Sequence, residues 1–174
     1  MHAPPPRMIL LLPTGTARAL ACVCILAAGL IAVSFPATAQ DAKLTADVIS
    51  ARKTMMDFMC DRMAQIEVMI GQGKVDVAFA RASGDAMSAM LQAFPHLFPP
   101  SSNRWRPDDP DPVSQTLASP GIWTGFADFY RQAADGAKIA HEMGRAGTPE
   151  DVKSRARELR IVCDSCHALY LEEP

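Results

Sequence analysis

Six residues near the C-terminal end, Val152, Ala156, Leu159, Cys163, Cys166 and Tyr170, recur at steps of four and three. That alternation keeps one inward stripe on a helix and excludes a strand, in which side chains change face at every residue. Thr148, Pro149, Glu150 and Asp151 precede it. They predict an N-cap, a proline at the first helical position and acids suited to the positive end of the helix dipole. Three further segments carry the same period. Val48, Arg52, Met56, Met59, Met63, Ile66 and Ile70 predict a helix from about 45 to 71, capped by Thr45 and closed by Gly71-Gln72-Gly73. Val77, Ala80, Ala86, Met87, Met90 and Leu91 predict a second over 75–97, with Pro95 disturbing its last turn. Ser119 as N-cap and Pro120 open a third, with Ile122, Phe126, Phe129, Ala133, Ala137 and Ala140 on one face as far as about Arg145. Six prolines between Pro99 and Pro120 allow no helix there, so 99–119 reads as an exposed connector, acidic at 108–111. Short turns at 71–74 and 145–148 and this one long loop predict an all-α, antiparallel four-helix bundle.

The first forty residues read as an address. Arg7 and Arg18 are followed by an apolar run over 19–33 and by the small residues Ala37-Thr38-Ala39. Fifteen apolar residues are too few for a membrane span and suit the core of a secretory signal peptide. The predicted organisation is therefore a signal peptide at 1–39 and one helical domain at 40–174. Export to an oxidising compartment, the periplasm in a bacterium, follows. Removing 1–39 takes away two cations and no acid, so the net charge moves from −2 to −4. No basic excess exists to neutralise phosphates, and nucleic-acid binding is not expected. Cys22 and Cys24 leave with the signal, and Cys60, Cys163 and Cys166 stay.

Two of those cysteines lie in Cys163-Asp164-Ser165-Cys166-His167. C-x-x-C-H is the attachment motif of c-type haem. Thiols at i and i+3 share a helical face and can add to two vinyl groups of one porphyrin, while the next histidine reaches the iron. Zinc would want two more ligands, and Cys60 with His96 or His141 makes no patterned set. A thioredoxin-like pair belongs after a strand of an α/β fold, and a disulfide at i,i+3 within a helix is strained. A non-haem thiol or zinc module remains the reading of a different class. One covalent haem c is the reading that motif, export and bundle support together.

At this point the chain resembles the class II c-type cytochromes, the cytochrome c-prime family, over essentially all of 44–170. The motif stands a few residues from the end of a four-helix bundle. Arg52 resembles the family's helix-one arginine beside the haem, and that resemblance implies pairing with a propionate. Ala93-Phe94-Pro95-His96-Leu97-Phe98-Pro99 resembles the end of its second helix. Ser119-Pro120-Gly121-Ile122-Trp123 resembles its Pro-Glu-Ile-Trp start of helix three, with Gly121 in place of the acid. Leu171 departs from it, standing where the family often has a cation. Phe98 is expected to pack on the haem; for Ile122, Trp123 and Phe126 ordinary core is an equal reading.

The family divides four residues after the helix-one arginine. A bulky apolar residue there leaves the iron five-coordinate and open to NO or CO; a methionine makes it six-coordinate and low-spin. Here that residue is Met56, with Met55 as the neighbour that could replace it. Met59 and Met63 read as core filler. His96 and His141 read as surface residues. Cys60 reads as a small buried hydrophobe or an intermolecular disulfide site. The implied protein is a periplasmic, low-spin, single-haem electron carrier, not an enzyme in the bond-making sense. Its partners would be redox proteins met transiently, and the family's habit of pairing through helices one and two implies a homodimer.

Overall fold

The computed structural model describes residues 37–106, 108 and 115–172, all within one compact unit, Ser34–Pro174. The expected signal peptide lies outside the described residues apart from its last three, as do Asp109, Pro110 and Asp111 of the acidic stretch. The elements are α1 (Ala37–Gly71), α2 (Val77–Ala93), α3 (Gly121–Thr124), α4 (Phe126–Gly144) and α5 (Pro149–Tyr170), with short 3-10 turns at Phe94–Leu97 and Pro100–Ser102. α1, α2, α4 and α5 make the four-helix bundle, and α3 is a single turn leading into α4. No described helix is long and apolar enough to cross a membrane.

The helix ends show where local chemistry decides. Thr148 caps α5 as expected. Its hydroxyl accepts from the Asp151 backbone N–H at 3.1 Å while the Asp151 carboxylate accepts from the Thr148 N–H at 3.0 Å, a complete capping box. Asp76 caps α2, accepting from the Phe79 N–H at 3.0 Å, so this helix starts slightly later than its apolar pattern. Two expectations need correction. Thr45 is not a cap: α1 begins at Ala37, and the Thr45 hydroxyl donates instead to the Asp41 carbonyl at 2.8 Å. Helix three does not run unbroken from Ser119. The Ser119 hydroxyl does accept from the Gly121 N–H at 3.2 Å, but Gly125 leaves helical geometry and separates α3 from α4.

The core is built by the predicted stripes, with one shift of register. On α1 the fully buried position is Ile49, not Val48, followed by Arg52, Met59, Met63 and Ile66. α2 and α4 pack most extensively, through small residues. A Cβ on Gly84 would stand 2.7 Å from both the Ala140 carbonyl oxygen and the Gly144 nitrogen, so glycine is what lets the two backbones approach this closely. α1 lies against α5 and α2 over far less of its length. The room that this leaves beside α1 is where the cysteines of α5 face.

Candidate functional site

Cys163, Cys166 and His167 are half-buried on the last turns of α5, and all three described cysteines are free thiols. Burial is the leading cause that raises the Cys163 thiol pKa. It pushes Cys166 up to about 11, with the neighbouring Cys163 adding to the shift.

Two cavities flank this face. The larger, about 450 Å³, is lined by Arg52, Met56, Phe98, Thr116, Ile122, Cys166, His167 and Tyr170 among others. The smaller, about 60 Å³, lies deeper, among Met56, Met59, Met63, Met87, Gln132, Cys163, Cys166 and His167. Met56, Cys60, Phe94, Phe129, Cys166 and His167 line both. Met56 is the one methionine common to the two linings, while Met55 is in neither. His96 and His141 are exposed and outside both. Of the aromatic side chains expected near the site, Phe98 and Ile122's neighbour Trp123 contact each other edge to face, and Trp123 donates to the Phe98 carbonyl at 3.1 Å. Phe126 is 40% exposed and lines neither cavity.

Cys60 corrects an expectation. It is exposed at the mouth of both cavities and not a buried hydrophobe.

Arg52 is buried, 3% exposed, and its burial lowers the guanidinium pKa to about 10. It donates to the Ser102 hydroxyl at 3.1 Å, the Ser102 carbonyl at 3.3 Å and the Thr116 hydroxyl at 2.5 Å. Among the described residues it has no carboxylate partner. A buried cation satisfied by neutral oxygens alone, on the wall of a cavity, fits an anionic group of a ligand placed there. The connector is likewise more than an exposed loop: Ser102 and Thr116, near its two ends, are buried beneath α1. Its far end is tied to the residues after the motif. The Ser119 N–H donates to the Tyr170 carbonyl at 2.9 Å and the Glu172 N–H to the Leu117 carbonyl at 2.8 Å. Leu171 sits in this pairing, 49% exposed, and supplies no cation to the site.

Sequence reasoning missed Ser102, Thr116, Gln132 and Asp128. Asp128 receives the Tyr170 hydroxyl at 2.9 Å and the Gln132 side-chain N–H at 3.2 Å. None of these has a sequence signal, since each matters through a residue on another element or through burial. Among the described residues no three His, Cys, Asp or Glu side chains gather as a metal site requires. Two apolar, aromatic-walled cavities that share Cys166 and His167, with Cys163 on the wall of the smaller and the buried cation Arg52 on the wall of the larger, fit a haem c.

The comparisons with known proteins agree. A family model described as Cytochrome C' matches residues 47–170. Cytochrome c-554 of Cereibacter sphaeroides is 28% identical over 145 residues, covering 81% of this chain and 91% of its own. Cytochrome c-556 of Agrobacterium tumefaciens is 30% identical over 103 residues, 58% of this chain and 75% of its own. The crystal structure of cytochrome c' from Thermochromatium tepidum superposes with a TM-score of 0.66 at 21% identity, over 74% of this chain and 97% of that one.

Proposed function

Because this chain belongs to the cytochrome c' family, whose cofactor is a covalently attached haem c, we propose that it is an exported, single-haem electron carrier with His/Met-ligated iron. Cys163 and Cys166 would form the two thioethers, and His167 and Met56 would be the residues that hold the iron. The observation that carries this reading is that Met56 alone of the described methionines lines both cavities together with Cys166 and His167. When bound, the haem supplies one-electron Fe(III)/Fe(II) exchange.

The chain's own residues set the conditions of that exchange. The Met56 thioether is soft and neutral, favours the ferrous state and raises the potential. Arg52 offers a desolvated, hydrogen-bonded cation to a propionate. Phe94, Phe98 and Phe129 pack edge to face and keep water from the porphyrin. The half-buried motif leaves an edge of the site near the surface, which suits brief encounters with a periplasmic redox partner through a small interface. A second copy of this chain could dock on α1 and α2, where Val68 is 56% exposed beside Phe79.

A second reading is an iron whose sixth position is open to NO or CO. It is favoured by the family itself, since the family whose model matches 47–170 includes a branch with an open sixth position.

Optical spectra of the exported protein, oxidised and reduced, with and without CO, decide between them. Low-spin bands unmoved by CO are expected for the wild type, and high-spin bands that shift on CO for Met56→Leu. A wild type that is already high-spin and CO-responsive would transfer the conclusion to gas binding. A colourless product from a haem-attaching host would end both readings.

A further inference from the structure

Gln132 carries the one buried side-chain polar atom without a hydrogen-bond partner among the described residues, its Oε1. The orientation of this amide is fixed by chemistry. A carboxylate only accepts, so the end of the amide facing Asp128 must be the Nε2 donor, 3.2 Å away, and Oε1 must face elsewhere. Asp128 is itself anchored by the Tyr170 hydroxyl and by an ion pair with Arg131. Gln132 is thus a held side chain in the lining of the smaller cavity whose acceptor atom is buried and unpartnered. An acceptor buried without a donor is costly, so a donor absent from the protein's own hydrogen bonds is expected there.

Packing between α4 and α5 indicates which donor. A Cβ on Gly136 of α4 would meet Val162 of α5 at 3.4 Å, while two turns earlier Asp128 meets Tyr170. The helices are antiparallel, so Gln132, midway between those levels, stands opposite Cys166 and His167. Among the other polar groups on that wall Arg160 is paired with Glu67 at 2.7 Å, the thiols of Cys163 and Cys166 would be consumed by thioether formation, and the remaining thiol, Cys60, is a weak donor carried on α1. With one ring nitrogen of His167 given to the iron, the other would be left to donate its N–H.

We propose that Gln132 is a positioning residue whose Oε1 accepts the ring N–H of His167, fixing the plane of the imidazole and raising its basicity toward the iron. This rests on the reading that His167 is an axial ligand. Such partners ordinarily fix the tautomer and tune the metal. A stronger acceptor makes the imidazole a better donor and favours the ferric state; losing the acceptor favours the ferrous state. A chain of Tyr170, Asp128 and Gln132 would then tie the iron ligand to the segment that closes the far side of the site.

The test compares wild type, Gln132→Leu and Gln132→Glu as haem-loaded exported proteins. Gln132→Leu is expected to raise the Fe(II)/Fe(III) ratio at fixed ambient potential about threefold, roughly 30 mV on the one-electron scale, and to speed exchange of the His167 ring proton seen by NMR. Gln132→Glu, made together with Asp128→Asn so that an amide donor and not a second carboxylate faces it, is an ionised and stronger acceptor and is expected to shift the potential the opposite way and to keep the proton protected. Equal potentials and exchange rates in all three proteins, or shifts of the same sign in both variants, would overturn the proposal, since loosened packing has no reason to change sign with acceptor strength. Spectra showing that His167 is not an iron ligand would overturn the underlying assignment as well, and are read separately from the potential.

Discussion

The guanidinium carbon of Arg52 lies 4.7 Å from the centre of the Phe98 ring, joining the middle of α1 to the segment that follows α2. The same guanidinium reaches Ser102 and Thr116, so one side chain holds both ends of the proline-rich connector against the bundle. Replacing it leaves two buried oxygens without a donor. Arg52→Met is expected to lower stability by on the order of 3 kcal/mol in denaturant unfolding. Arg52→Lys should recover only part of this, because a single ammonium cannot reproduce the planar fork. Limited proteolysis would report the loosened connector as faster cleavage within 99–119.

Methionines on α1 should divide by role. Met63 is 2% exposed and packs in the core. Met63→Ala is expected to destabilise by about 2–5 kcal/mol while leaving the low-spin spectrum of the haem-loaded protein unchanged. Met56→Leu should do the reverse, changing the spectrum at small cost in stability. A spectrum that follows Met63 would move the ligand assignment down the helix.

The α2–α4 crossing depends on the absence of a side chain at Gly84. Its Cβ would meet backbone atoms, which cannot rotate away. Gly84→Ala is expected to cost about 2 kcal/mol by overpacking, read as a lowered Tm. Gly71→Ala, where a Cβ meets nothing within 4 Å, serves as the control and should change little.

Acid should loosen the start of α5. The Thr148 hydroxyl, and then the Gly147 and Thr148 backbone N–H groups, hold the Asp151 carboxyl below the usual carboxylate range. A carboxyl with a lowered folded pKa contributes its stability in full above the unfolded value of about 4, and loses it as pH falls through the folded value. Asp151→Asn should therefore be less stable than wild type at pH 6, with the difference in Tm shrinking as the pH is taken toward 3. A difference independent of pH would assign the effect to packing rather than to the charge.

Much of this was legible residue by residue. The 4-3 stripe of Leu159, Cys163, Cys166 and Tyr170 put both thiols on one inward face, and in the fold both line the smaller cavity. Thr148 and Pro149 marked the start of α5 because a cap is settled within one turn of chain. Thr45 and Val48 misled for the opposite reason. A helix that continues upstream needs no cap at Thr45, and the apolar period alone did not say which of Val48 and Ile49 meets the bundle.

What the sequence by itself determined is therefore the set of helices, their apolar faces and the attachment motif, all governed by interactions that span at most one or two turns. What only the tertiary structure decided is which faces meet. Arg52 finds Ser102 and Thr116 across 50 and 64 residues of chain. Tyr170 finds Asp128 across 42. Met56 is distinguished from the methionines around it by a place on two cavity walls. Nothing in a local period encodes such pairings, because they come from how closely two helices approach, and here the glycines of α2 and α4 brought one pair together while α1 was left standing off from α5.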